Sequence, residues 1–281
     1  MDNSDLLFRK AEEADIARIW EIIGQAKAQM RRLNSHQWDE NYPALENIAK
    51  DIQSGNGYVF CNKENIAVTY GVISFDGEPA YKEIDGKWIN DLPYMVVHRL
   101  ADEMKHQGLA KRFMLQAEEV SRNKGIYAFR IDTNFDNQYM LRLIDSLGFS
   151  YSGEVSYRGD KRKAFEKSIR PHSSSFGIPG YTIREAIYED AEIIYEAIDK
   201  HREDLRIWLP FVDGLNSVAD EQSFLESTLK VPYKERDVVY IIEKGFAICG
   251  LIGFHFSDRT NHRTEIGYWL LPEFRGKGVI T

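Results

Sequence analysis

Tyr94-Met95-Val96-Val97-His98-Arg99-Leu100, followed by Lys105-His106-Gln107-Gly108-Leu109-Ala110, decides how this chain reads. The first run is apolar and β-branched enough for a strand. The second is a basic turn closed by glycine. From Gly108 to Lys124, Leu109, Phe113, Met114 and Ala117 fall on one side of a helix. Glycine admits a ligand close to the backbone, and the free amides of a new helix attract anions. A strand, a basic glycine turn and a helix in this order therefore suit a pyrophosphate, with Lys105 adding charge.

Nearer the N-terminus, Ile16, Ile19, Trp20 and Ile23 predict a helix face. A second helix is expected over residues 44–54, and a hairpin over residues 57–62 and 66–75. Residues 128–133 read as a strand. Met140, Leu143, Ile144 and Leu147 mark a helix from Asn137 to Gly148, and strands near residues 151–155 and 164–168 close the series. The fold class is α/β, built on a mixed α+β sheet and not on a doubly wound one.

Pro, Ser and Gly dominate residues 170–180, which read as a linker between residues 1–169 and 181–281. The flanking halves look duplicated. Phe8-Arg9-Lys10-Ala11-Glu12-Glu13-Ala14-Asp15 returns as Ile183-Arg184-Glu185-Ala186-Ile187-Tyr188-Glu189-Asp190, each Asp standing as an expected helix N-cap. A basic residue three before a glycine also returns, in Lys105-His106-Gln107-Gly108 and Arg275-Gly276-Lys277-Gly278. In the second half, strands are expected over residues 182–186, 238–243, 246–256 and 265–271. Helices are expected from Asp190 and after the Ser217/Asp220 capping box.

Lys and Arg number 36 against 44 Asp and Glu, a net charge of −8. A general nucleic-acid binder is disfavoured, since it needs a basic face. No apolar run approaches the roughly 20 residues of a membrane span. The N-terminus lacks the pattern of a signal peptide. The only cysteines, Cys61 and Cys249, sit in apolar runs and read as buried thiols. A cytoplasmic location is expected. The seven histidines are scattered and no Cys/His cluster has ligand spacing, so no metal is expected.

Lys105-x-x-Gly108-x-Ala110 resembles the pyrophosphate loop of the GNAT superfamily, the acetyl-CoA-dependent N-acetyltransferases. Asn137, with Gly148-Phe149, resembles that family's later motif, in which Ile144 stands where the family has a tyrosine acid. The stretches Gln37-Trp38-Asp39-Glu40-Asn41-Tyr42-Pro43 and Arg130-Ile131-Asp132-Thr133 are similar to a bacterial subgroup. Trp208-Leu209-Pro210, Glu265-Ile266-Gly267-Tyr268-Trp269-Leu270 and Arg275-Gly276-Lys277-Gly278 resemble the ribosomal-protein N-acetyltransferase branch, over its first part only.

The resemblance implies two tandem GNAT folds, the second incomplete at Thr281, where a longer source chain is expected. It implies acetyl-CoA as cosubstrate, with Leu100, Lys105, His106, Gln107, Gly108, Leu109, Ala110 and Asn137, and in the second half Arg275, Gly276, Lys277 and Gly278, on the cofactor. The acceptor is then a primary amine of a small molecule or a protein N-terminus. An amine must lose a proton before it attacks, and His98 is the candidate base; Glu265 and His262 are weaker candidates in the second half. Tyr139 or Tyr151 could stand in for the absent tyrosine, or simply pack. A homodimer stays open. So does a different class of function, a non-catalytic acyl-CoA-binding or protein-interaction module.

Overall fold

The computed structural model describes residues 6–35, 37–103, 108–157 and 159–281. The chain forms two compact units. Unit 1 spans Met1–Ile89, Pro93–Asn123 and Ala128–Ile169; unit 2 spans Asn90–Leu92, Lys124–Tyr127 and Arg170–Thr281.

Unit 1 opens with β1 (Leu7–Lys10), α1 (Ile16–Arg32), α2 (Leu45–Gln53), β2 (Gly57–Cys61) and β3 (Ala67–Ser74). There follow β4 (Asp85–Gly86), β5 (Tyr94–Asp102), α3 (Leu109–Arg122), β6 (Ala128–Thr133), α4 (Gln138–Ser146), β7 (Ser150–Tyr157) and β8 (Asp160–Ser168). The strands make one mixed sheet in the order β1-β2-β3-β5-β6-β8-β7-β4. Only β5 and β6 run parallel.

Seven of the eight residues of β3 are buried, because helices cover both faces of the sheet there. Ile19, Ile22, Ile23 and Ile48 of α1 and α2 pack with Val59, Tyr70 and Val72 on one side. Leu109, Phe113, Met114 and Ile144 of α3 and α4 pack with Val68, Ile73, Met95 and Phe129 on the other. The buried stripe of α1 runs through Ile22, and Trp20 is 39% exposed with Lys27 above its ring, so Trp20 is not on the core face as the spacing suggested.

Unit 2 holds β9 (Ser174–Ser175), β10 (Tyr181–Glu185), α5 (Ala191–Lys200), α6 (Arg202–Leu205), α7 (Val218–Leu229), β11 (Val239–Lys244), β12 (Ala247–Asp258) and β13 (Arg263–Leu270). Its sheet is antiparallel, in the order β13-β12-β11-β10-β9. Ile194, Ile198, Leu225, Ile241, Leu251 and Trp269 share one core, and Tyr181, Ile242, Cys249 and Val279 fill the opposite face. Ser174 and Ser175 pair with Ile183 and Thr182, so part of residues 170–180 joins this sheet instead of only connecting.

The recurring Arg/Asp pattern has the same structure in both units. Arg9 grips Asp15 at 2.7 and 3.0 Å, and Arg184 grips Asp190 at 2.7 Å through both nitrogens. Each carboxylate also accepts the backbone N–H three residues back, Glu12 or Ile187, at 2.8 Å. Neither Asp caps the following helix with its side chain, as the sequence suggested. The arginine fork, a stronger charge-assisted partner, holds the carboxylate in the preceding turn. Cys61 and Cys249 are fully buried, and burial pushes both thiols up. No helix among the described residues is long and apolar enough to cross a membrane.

Candidate active site

β5 and β6 pair only at Tyr94↔Ala128, Met95↔Phe129 and Val96↔Arg130. Both strands continue, β5 to Asp102 and β6 to Thr133, without pairing with each other. A ladder that opens inside a sheet leaves backbone donors and acceptors for an extended ligand, as a sheet edge does. The apex of the fork is held by Arg130. Its guanidinium lies 4.1 Å from the Tyr94 ring and 4.5 Å from the Trp88 ring, and Nε donates to Glu166 at 2.9 Å.

A bulge follows on β5. Ala101 pairs with Tyr70 and His98 with Val72, so Arg99 and Leu100 stand opposite Gly71 alone. Arg99 takes φ of +50°, a strained value for a residue with a Cβ. Its side chain holds the strain in place: Nε and Nη2 donate to Asp51 at 2.8 and 2.6 Å, and Nη1 donates to the Tyr42 hydroxyl at 2.9 Å. Tyr70 donates to the same Asp51 at 2.8 Å. Burial first, then Asp51, pushes the Tyr70 pKa up, so its hydroxyl keeps the proton. A Cβ on Gly71 would come within 2.6 Å of Phe113, so glycine lets α3 close against the bulge. The extra residue shifts the alternation. Met95 and Val97 face the α3 side before the bulge, and Leu100 faces it after.

A cavity of about 410 Å³ lies in this opening. Leu100, Gly108, Ala110 and Asn137 line it, and so does His98. Gly108 sits at φ of +80° at the N-terminus of α3, with no side-chain cap on the free amides of the first turn. Leu109 is fully buried in the core, so its side chain does not reach the cavity. Lys105, His106 and Gln107 lie outside the described residues. Asn137 has its side chain engaged: it accepts from Met140 N at 3.1 Å and donates to Gln37 at 2.8 Å. Met140 and Leu143 of α4 face the cavity, while Ile144 is 1% exposed in the core. Tyr139 is exposed and lines the cavity; Tyr151 is exposed outside it, edge-on to Phe165. Trp38 and Tyr42 also line it.

His98 Nε2 lies 3.6 Å from Glu78 Oε2, with both side chains largely buried. Burial first, then the Arg99 charge, holds the imidazole at about 4. Burial first pushes the Glu78 carboxyl up, and Asp132 adds to the shift. Glu78 caps the turn Pro79–Glu83, accepting from Ala80 N, and its own N–H donates to the Tyr94 hydroxyl at 3.0 Å. Asp132, on β6 and in the lining, accepts from Tyr81 at 2.8 Å and from Arg162 at 2.9 Å. Glu78, Tyr81 and Arg162 escape a reading of the sequence, because they stand far from His98 in the chain and on no periodic stripe.

These shifts make acid stability a readable quantity. The folded His98 binds fewer protons than its unfolded form, near 6.5, between about pH 4 and 6.5. Its contribution is therefore full above about 6.5 and is lost as pH falls through that window. Glu78, raised on folding, has the opposite sign: its contribution is present at low pH and is lost as pH rises through its folded pKa. Denaturant unfolding at pH 7 and pH 5 should show a smaller acid loss for His98→Gln than for the unaltered chain. Equal losses would contradict this burial.

In unit 2, Arg275 donates to Asp204 and to the Leu270 carbonyl, and Lys277 donates to the Glu273 carbonyl. Gly276 and Gly278 both have positive φ, at 67° and 74°. Residues 275–281 themselves are turn and coil. Glu265 and His262 are exposed at the β12–β13 end of the sheet.

The model of the acetyltransferase (GNAT) domain family matches residues 181–281. YdaF of Bacillus subtilis, a protein named as a ribosomal N-acetyltransferase, is 34% identical over 104 residues. That match takes in 36% of this chain and 55% of YdaF, so the chain spans about half the length of that curated relative. A crystal structure of a GNAT family acetyltransferase from Streptococcus agalactiae is 31% identical, with a TM-score of 0.53. It matches over 58% of this chain and 95% of its own.

Proposed function

Because the chain belongs to the GNAT acetyltransferase family, we propose that unit 1 binds acetyl-CoA along the open edge of β5 and acetylates a primary amine. The observation that carries this reading is the opening of the β5–β6 ladder after Val96, in a cavity that reaches the start of α3. The pantetheine amides pair with the freed backbone of β5, and the pyrophosphate meets the first-turn amides beyond Gly108. The acceptor is a small-molecule amine or a protein N-terminus, met in the cytoplasm, where acetyl-CoA is available. Residues 1–169 and 181–281 act as separate domains in this reading, and the Arg275–Gly278 turn is a second, weaker candidate for the cofactor.

The amine nitrogen attacks the thioester carbonyl carbon. A C–N bond forms, the C–S bond breaks, and coenzyme A leaves as a thiolate. An ammonium has no lone pair to attack with, so its proton must leave first. His98 is neutral near pH 7 and can accept the hydrogen bond of the incoming amine. The ammonium's first proton goes to water; the second, which the nitrogen sheds as the C–N bond forms, passes through His98 to Glu78, a stronger base than an ordinary carboxylate. Unpaired donors of the β5 edge suit the oxyanion that develops on the carbonyl. Tyr139 lines the cavity and returns a proton to the thiolate.

A second reading, binding without turnover, draws on Ile144, whose burial leaves α4 without an acid at that place. Thiol release from acetyl-CoA with a panel of amines separates the two. Gly108→Val tests the cofactor site shared by both. Valine is strained at φ of +80°, and a Cβ there meets no atom within 4 Å among the described residues, so it enters the approach to α3. Calorimetry on the intact chain should show affinity for acetyl-CoA falling about 30-fold or more, roughly 2 kcal/mol. Gly108→Asn, which tolerates this backbone, should lose affinity as well. Unchanged affinity in both variants would move the site elsewhere.

A further inference from the structure

Among the described residues, three lysines and arginines line the cavity beside β5: Arg99, Lys111 and Arg162. Arg99 is engaged with Asp51 and Tyr42. Lys111 stands in the first turn of α3, at the end proposed for the cofactor. Arg162 stands elsewhere, on β8. In the strand order β5-β6-β8 it lies across β6 from His98.

The Arg162 guanidinium donates from Nη1 to Asp132 at 2.9 Å, and among the described residues this is its one hydrogen bond. The side chain is 12% exposed, and Nε is buried with no acceptor. A buried donor left unmet costs stability, so such groups usually have acceptors. Asp132 does not supply one: its Oδ1 accepts from Tyr81 and its Oδ2 from Nη1. The Tyr157 ring, also in the lining, lies 4.4 Å from the guanidinium carbon and helps fix its plane. Nε–H and one Nη2–H lie side by side on the edge of the fork that Asp132 does not use. Their spacing matches the two oxygens of a carboxylate. Burial leads the shifts of His98 and Glu78, and the Arg162 charge reaches both. Arg162 is thus within electrostatic range of the groups proposed to take the amine's proton.

Resting on the acetyl transfer proposed for unit 1, we propose that the acceptor amine also carries a carboxylate, which Arg162 binds through Nε and Nη2. The amine end then points at His98 and the acid end at β8. The substrate class is a small amino acid. A carboxylate suits this place better than a phosphate monoester. Asp132 already offsets much of the Arg162 charge, and a dianion would be repelled by it more strongly. A protein N-terminus suits it less, because the carboxyl beside its amine is tied up in a peptide bond.

The test uses the intact chain and acetyl-CoA, with thiol release read for glycine, β-alanine and 4-aminobutyrate, each against its amide. At the best length, kcat/KM should be about tenfold higher or more for the acid than for its amide. Arg162→Gln should bring that ratio close to one. Arg162→Lys, which keeps a charge without the fork, should leave it in between. Each ratio is taken within one preparation, so a poorly folded variant lowers both rates and leaves the ratio readable. Amides that serve as well as the acids at every length would keep acetyl transfer and overturn the carboxylate site. An acid preference that survives Arg162→Gln would also overturn it, placing the acid elsewhere. Thiol release by neither series would overturn it too; turnover of other amines in the panel then decides whether acetyl transfer stands.

Discussion

His98→Ala is expected to lower kcat for acetyl transfer by about 10²–10⁴-fold, the usual reach of general base catalysis, with affinity for acetyl-CoA essentially unchanged. The imidazole lies beside the β5 bulge, where the proposed reaction brings the amine, so its loss should leave the proposed cofactor groove in place. Glu78→Gln should fall comparably, because the proton that reaches His98 has Glu78 behind it at 3.6 Å. The double variant should fall little further than either single one, since groups that act as one relay are not additive. Thiol release measured against amine concentration separates kcat from KM. Full activity in His98→Ala would remove the histidine from the reaction, and additive losses would break the relay into independent parts.

The second large effect is on stability. Arg99→Met should cost about 3–5 kcal/mol, because it leaves the Asp51 carboxylate buried with, among the described residues, only the Tyr70 hydroxyl as partner. The same change removes the fork that holds φ of +50° at the bulge. Denaturant unfolding reads the loss directly. Adding Asp51→Leu to the variant should recover part of it, because removing both charges is less costly than stranding one. A loss under about 1 kcal/mol for Arg99→Met, the level of an exposed pair, would show that Asp51 remains hydrated.

The regular elements were legible because their physics is local. β6 runs over Ala128–Thr133 as expected, and α4 starts after Asn137, whose side chain caps it. Gly108 could be placed because a glycine closes the basic turn before the helical stripe, and the structure gives it a positive φ that glycine adopts freely. The fork between β5 and β6 follows from neither strand's own pattern, since pairing is a property of two strands that stand apart in sequence; the family resemblance alone implied a splayed pair with Tyr94–Leu100 as one arm. The bulge at Arg99 was hidden for the same reason: Asp51 and Tyr42, which hold it, lie on and before α2. Asp15 and Asp190 looked like helix caps until the arginines six residues earlier were seen to hold them. Glu78 follows a loop, and only the cap it makes for Pro79–Glu83 brings it to His98.

The proposed function requires acetyl-CoA to lie along the opened edge of β5. Hydrogen–deuterium exchange of the intact chain, with and without saturating acetyl-CoA, tests that most directly. Exchange should slow over residues 97–101 of β5 and over the first turn of α3, where amides that do not pair with β6 gain partners. Saturable binding that leaves both segments unchanged, with protection appearing elsewhere, would contradict the account.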